Sequence, residues 1–221
     1  MSYIEYLREF GPRLLGGVIV TVEQTVLAAI LAVAIALTMG MMRLSPSAPV
    51  RGAAIVYIEF FRGTSLLVQL FWIFFVLPLF GLTLDKFVAG FTAVGMNLGA
   101  YGAEVVRGAI QAVPKGQHEA AVALNMSPAM RMRRIILPQA LIIMLPSWGN
   151  LMIELLKGTA LVALIAVPDL MFVAKQINGS TFLSVQSFGT AMVLYYILAR
   201  GVITPGMRWL ERVMRRRVGM A

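Results

Sequence analysis

Gln117-His118-Glu119-Ala120-Ala121-Val122-Ala123-Leu124-Asn125-Met126, running on to Ile135-Ile136-Leu137-Pro138-Gln139, is the stretch on which the fold turns. It is rich in alanine, partly charged, and stranded between long apolar blocks. Working outward from it, five blocks reach the roughly 20 mainly apolar residues that a helix needs to cross a bilayer. They are 18–42, 53–77, 87–112, 135–167 and 182–209, with 113–134 as the loop between the third and fourth. Pro146, Asn150, Glu154, Lys157 and Gly158 interrupt the fourth block, so a kinked or partly unwound helix is expected there. The expected fold is all-α. It is one domain over 1–221, a polytopic membrane bundle of about five transmembrane helices with short cytoplasmic helices in the loop.

Composition points the same way. Hydrophobic residues make up 59% and charged residues 13%, whereas a soluble domain carries roughly a quarter of its residues charged. No room is left for a sizeable soluble domain. A net charge of +9 would suggest nucleic acid in a soluble chain. Here the basic residues gather at the ends of apolar blocks, where they set topology, and no nucleic-acid partner is expected. Arg43 and Arg51 flank the first connection, and Lys115, Arg131, Arg133 and Arg134 lie in the third. Arg208, Arg212, Arg215, Arg216 and Arg217 crowd the C-terminal end, while the alternate connections hold only Asp85 with Lys86 and Asp169 with Lys175. The positive-inside rule then places the N-terminus outside, and the C-terminus and the Glu119 loop in the cytoplasm. The basic tail also suits anionic lipid, although topology accounts for it. With one histidine and no cysteine, disulfides are ruled out and a zinc site is not expected. The first ten residues lack a basic leader segment and do not read as a signal peptide. Ser2 and Glu5 have capping-box spacing, which suggests a short interfacial helix.

The loop itself reads as two short helices. Residues 119–126 are helical by composition, with Glu119 in the first turn where the helix dipole favours it. Ser127 and Pro128 read as the cap and first position of the next.

Ionisable groups near a bilayer centre cost about 2.5–3.5 kcal/mol on insertion scales and so line a cavity or find a partner. Asn150, Glu154 and Lys157 stand at i, i+4 and i+7, on one helical face. Asn97, Tyr101 and Glu104 repeat that spacing, with Gly95, Gly99 and Gly102 opposite, a face suited to close packing. Glu59, Arg62, Ser65 and Gln69 form a third stripe. Together these stripes suit a small zwitterion, its carboxylate near Arg62 or Lys157 and its ammonium near Glu154. Glu59–Arg62 and Glu154–Lys157 could instead be structural ion pairs.

Three motifs in order carry a family resemblance: Phe61-Arg62-Gly63-Thr64 with Gln69, Glu119-Ala120-Ala121 followed by Ile136-Leu137-Pro138-Gln139, and Leu155-Leu156-Lys157 with Thr159. The chain resembles the permease subunits of bacterial ABC importers, in the group that handles polar amino acids. The resemblance implies that the loop forms coupling helices docking on an ATPase subunit through Glu119, Ala120, Ala121, Leu124 and Asn125. It implies a substrate pathway along Arg62, Ser65, Gln69, Asn97, Tyr101, Glu104, Asn150, Glu154, Lys157 and Thr159. It also implies two ATPase copies, a second permease (a second copy or a paralogue), an extracytoplasmic binding protein and a bacterial inner membrane. Asn125 stands where the family usually has Gly, and Asn tolerates the left-handed turn best among the alternatives. Gly158 stands where the family often has Asp, which favours a polar amino acid or a compatible solute such as ectoine over a strongly cationic one.

The chain has no phosphate-binding Gly-x-x-x-x-Gly-Lys-Ser/Thr run, no nucleophile with a partnered histidine and no metal cluster. No cofactor and no catalysis are expected, and ATP hydrolysis belongs to a separate chain. Two other readings compete. One is a stand-alone secondary transporter or channel with a Glu154/Lys157 relay; the other is a scaffold whose loop recruits a soluble partner.

Overall fold

The computed structural model describes residues 2–218, and among them there is no strand. The first helix, α1 (Tyr3–Arg43), has the Ser2/Glu5 capping box, with the Ser2 N–H donating to Glu5 Oε2 at 2.8 Å. No separate interfacial helix forms. The helix runs straight through Pro12 for 41 residues, about 60 Å at 1.5 Å per residue, or twice a hydrocarbon core. Its first turns pack Tyr6, Phe10 and Leu14 against Leu170, Ala174, Ile177 and Ala191.

The second apolar block is not one straight helix. Helix α2 (Ala48–Gly63) and helix α3 (Leu66–Phe71) meet at 104°. The break falls at Gly63-Thr64-Ser65, a run of residues that compete poorly for helix. Ser65 caps α3 in extended geometry. The chain then passes through a π turn (Trp72–Val76) and a 3₁₀ turn (Leu77–Phe80), and Gly81 ends it at φ +85°.

Helix α4 (Lys86–Gln111) is the centre of the bundle. Along α1, Gly17, Thr21, Gln24, Ala28, Ala32, Ala36 and Gly40 are all buried at helical spacing. The glycines of α4 meet this seam. A Cβ on Gly95 would sit 2.9 Å from Leu31, one on Gly99 2.8 Å from Ile35, and one on Gly102 2.8 Å from both Ala36 and Trp148. The paired numbers rise together, so α1 and α4 run parallel, and the bent α2–α3 segment brings the chain back between them. Tyr3–Arg43, Pro128–Ile165 and Ser184–Arg216 are long and apolar enough to cross a membrane, and the bent pair makes a fourth if its two arms count as one span. Helix α4 has the length of a fifth but not the hydropathy. It is walled by protein, so small residues serve it better than large apolar ones.

Two short helices, α5 (Lys115–Ala123) and α6 (Pro128–Arg131), lead through a π turn into α7 (Leu137–Thr159). Helix α7 stays helical through Pro146 and Gly158. The irregular geometry lies at its ends, in the π turn at Met132–Ile136 and a 3₁₀ turn at Ala160–Ile165. Ile136, Ala140 and Trp148 pack against Ala36, Val106 and Ile110 in a second core at the loop end. Helix α8 (Leu170–Thr181) was not foreseen, being too short to span. The last run is α9 (Ser184–Ile197), a π turn (Leu198–Ile203) and α10 (Thr204–Val218), which extends beyond residue 209.

Candidate functional site

The break between α2 and α3 frees backbone carbonyls that lipid cannot satisfy. Two of the predicted pathway residues do so instead. Gln69 donates from Nε2 to Phe61 O at 2.9 Å and reaches Thr64 Oγ1 at 2.6 Å. Asn97 donates from Nδ2 to the same Phe61 O at 3.0 Å and to Gln69 Oε1 at 3.1 Å. Both amides are 6% exposed. They hold the bend together, and neither side chain is open to the surface.

Glu104 and Thr159 are likewise consumed. Glu104 Oε2 lies 2.7 Å from Arg107 Nη2, and its Oε1 lies 3.5 Å from Arg43 Nε, tying the ends of α4 and α1. Thr159 is fully buried and donates to Leu156 O at 2.7 Å. The alternative ion pairs fail too. Among the described residues the pairs are Arg43–Glu104, Arg107–Glu104 and Arg215–Glu211, so neither Glu59–Arg62 nor Glu154–Lys157 forms.

What stays open is narrower than the sequence suggested. Asn150, Glu154 and Lys157 are exposed along one face of α7. Arg62 is exposed at the end of α2, its guanidinium 5.4 Å above the Tyr101 ring, and Tyr101 reaches Arg62 O at 3.5 Å. Ser65 is exposed beside them. A cavity of about 410 Å³ under the bend is lined by Phe60, Phe61, Val68, Trp72 and Met96 and is almost wholly apolar, with Gln69 already engaged. It does not suit a zwitterion. A cleft of about 260 Å³ between α7 and α10 is more polar and takes in Asn150 together with Arg200 and Arg208. Arg200 escaped the sequence reading; an arginine inside an apolar block was the available signal.

In the loop, α5 ends in a full Schellman motif. The Met126 N–H donates to Ala121 O at 3.1 Å and the Asn125 N–H to Val122 O at 2.9 Å. Asn125 takes φ +53°, the left-handed geometry expected of it. Ser127 accepts from the Met130 N–H, with Pro128 at the first helical position. Gln139 Nε2 reaches Gln117 Oε1 at 3.3 Å, joining the two halves of the opening stretch. Glu119 and Ala120 are exposed, as are Val122 at 55% and Leu124 at 75%. Ala121 is 2% exposed and packs inward.

A polar knot at the other end was also unforeseen. Asp169, fully buried, caps α8 by accepting from the Phe172 N–H at 2.8 Å and accepts from the Tyr195 hydroxyl at 3.1 Å. Thr21 Oγ1 accepts from the Leu170 N–H beside it. Burial pushes the Asp169 carboxyl up to about 6, against the pull of these hydrogen bonds.

Residues 21–216 match the family model described as the binding-protein-dependent transport system inner membrane component. A probable amino-acid ABC transporter permease from Sinorhizobium fredii is 43% identical, with 95% of this chain and 92% of that protein covered. The L-cystine transport system permease of Bacillus subtilis is 40% identical over 77% of this chain and 73% of its own. The crystal structure of an amino acid ABC transporter with histidines superposes at a TM-score of 0.88 and 35% identity, covering 96% of this chain and 98% of that one.

Proposed function

This chain belongs to the binding-protein-dependent inner membrane components, as a permease subunit of an amino-acid ABC importer, and we propose that its cargo is a zwitterion held along α7. Such subunits are non-catalytic and work with an ATPase and a second permease. The observation that carries the reading is the exposed Glu154 and Lys157, with no ion-pair partner among the described residues, as the two charged residues of a largely apolar helix. Two opposite charges left free at membrane depth are costly unless a ligand answers them. Lys157, with Arg62, suits a carboxylate; Glu154 suits an ammonium; Asn150 can bond either. Gly158 adds no second carboxylate, which favours a polar amino acid or an amino-acid-derived solute of the ectoine kind.

The basic residues of the loop end fit a cytoplasmic face and an N-terminus outside. Glu119, Ala120 and Leu124 would then dock on the ATPase, an exposed apolar patch outside the membrane being a mark of a partner surface. Two ATPase copies, a paired permease (a second copy or a paralogue) and an extracytoplasmic binding protein complete the machine. Closure of the ATPase pair would shift the bundle between outward- and inward-facing states. Glu119→Lys is expected to abolish co-purification of the ATPase and ATP-dependent uptake. Retention of both would remove the docking claim. A cysteine at position 117 should be labelled only from the cytoplasmic side.

A further inference from the structure

The last run of helix carries two arginines, Arg200 and Arg208, that the proposed amino-acid pathway does not use. Residues eight apart on a regular helix stand about 80° apart, so Arg200 and Arg208 would face different ways. The π turn at Leu198–Ile203 inserts one residue between them, which takes away about 100° and leaves them about 20° apart. Thr204 holds that turn in place by donating from Oγ1 to Ala199 O, five residues back, at 2.9 Å. Both arginines thereby line the one cleft of about 260 Å³, with Asn150 contributed by α7.

The cleft holds one carboxylate, and it is paired outside the two arginines. Glu211 lines it, but its Oε1 is taken by Arg215 Nη2 at 2.9 Å and Nε at 3.1 Å. Among the described residues neither Arg200 nor Arg208 has a carboxylate within 4.0 Å. Glu154 stands one turn above Asn150 on the α7 face and Lys157 almost two, so the nearest other charges are one of each sign.

We propose that this cleft is an oxyanion site, in which Arg200 and Arg208 bind a carboxylate or phosphate group and Asn150 donates a further hydrogen bond. Each guanidinium offers a planar fork of donors that matches a carboxylate or phosphate, and two of them in one cleft can share a single oxyanion. The group can come from a soluble anion or from the phosphate of an anionic lipid, and the site stands whichever solute the permease carries.

The test uses the complete permease–ATPase complex in two arms. In nanodiscs of phosphatidylcholine, inorganic phosphate replaces chloride at constant ionic strength while the melting temperature is followed. In detergent, native mass spectrometry counts the phosphatidylglycerol molecules that stay bound. Stabilisation by phosphate alone identifies a soluble anion; retained phosphatidylglycerol identifies the lipid. In either case the Arg200→Gln/Arg208→Gln double variant should bind at least about tenfold more weakly, from the loss of charge-assisted hydrogen bonds. Should that variant not fold, Asn150→Asp keeps the shape and sets a negative charge in the cleft, with the same weakening expected. If the wild-type complex responds in neither arm, or a folded variant responds as the wild type does, the proposal is overturned.

Discussion

Helices α4 and α7 carry the same polar pattern and use it in opposite ways. Asn97, Tyr101 and Glu104 repeat the spacing of Asn150, Glu154 and Lys157. On α4 the first and last of these are consumed: Asn97 by the carbonyl freed at the α2–α3 break and by Gln69, Glu104 by Arg43 and Arg107. On α7 the whole stripe is exposed and unpaired. The difference lies in the neighbours. A polar stripe facing a broken helix or an arginine cluster is spent on the fold, and one at the surface keeps its groups free, which is what the proposed ligand role requires.

That contrast can be broken in several places. The largest effect is expected on α7: Glu154→Gln and Lys157→Gln should each cut uptake by roughly ten- to a hundredfold in proteoliposomes, from losing one charge-assisted bond to a zwitterion. Their melting temperatures should stay at the wild-type value, since neither charge has a partner to lose. Next comes the seam. Gly102→Val would press against Ala36 and Trp148 and should cost about 1–3 kcal/mol by overpacking, read as a lower melting temperature and less folded protein. On the α4 stripe, Asn97→Ala leaves Phe61 O and Gln69 Oε1 each one donor short. It should destabilise by about 1–3 kcal/mol, while uptake per folded molecule stays near wild type. An unchanged melting temperature there, with uptake lost, would erase the distinction between the two helices.

The smallest effect sharpens the comparison with a buried group outside both stripes. The Asp169 carboxyl is raised in the folded chain from 3.8 to about 6, by burial. Folding therefore takes up a proton between those values, and stability falls as pH rises through that window, then levels above it. Melting temperature measured from pH 4 to pH 7 should follow this decline by a few degrees. Asp169→Asn should flatten the profile, because the amide is neutral throughout and its oxygen can still accept from the Phe172 N–H.

The helical class and the parts of the loop were legible because they rest on local chemistry. The apolar blocks, Ser127-Pro128 and the left-handed Asn125 each declare themselves within a few residues. The glycine face of α4 was legible too, since only close packing explains three glycines at that spacing. The bend at 63–65 was missed because the apolar runs on either side were read as one block, although Arg62-Gly63-Thr64-Ser65 interrupts it. Once it was missed, the roles of Gln69 and Asn97 could not be read, for their partner is a carbonyl that exists free only at the break. Thr159 and Asp169 were lost for a related reason, since burial against distant helices leaves no mark in the flanking sequence. Arg200 needed the π turn, which one residue of extra helix conceals.

The most direct test sets the two helices side by side in one assay. A panel of labelled amino acids would first establish the best-transported one for the reconstituted wild-type complex. Its uptake per folded molecule and the melting temperature would then be measured for Glu154→Gln and Asn97→Ala. The account predicts that Glu154→Gln loses uptake at wild-type stability, while Asn97→Ala loses stability and keeps uptake. The reverse pattern, or equal loss of both quantities in both variants, would contradict it.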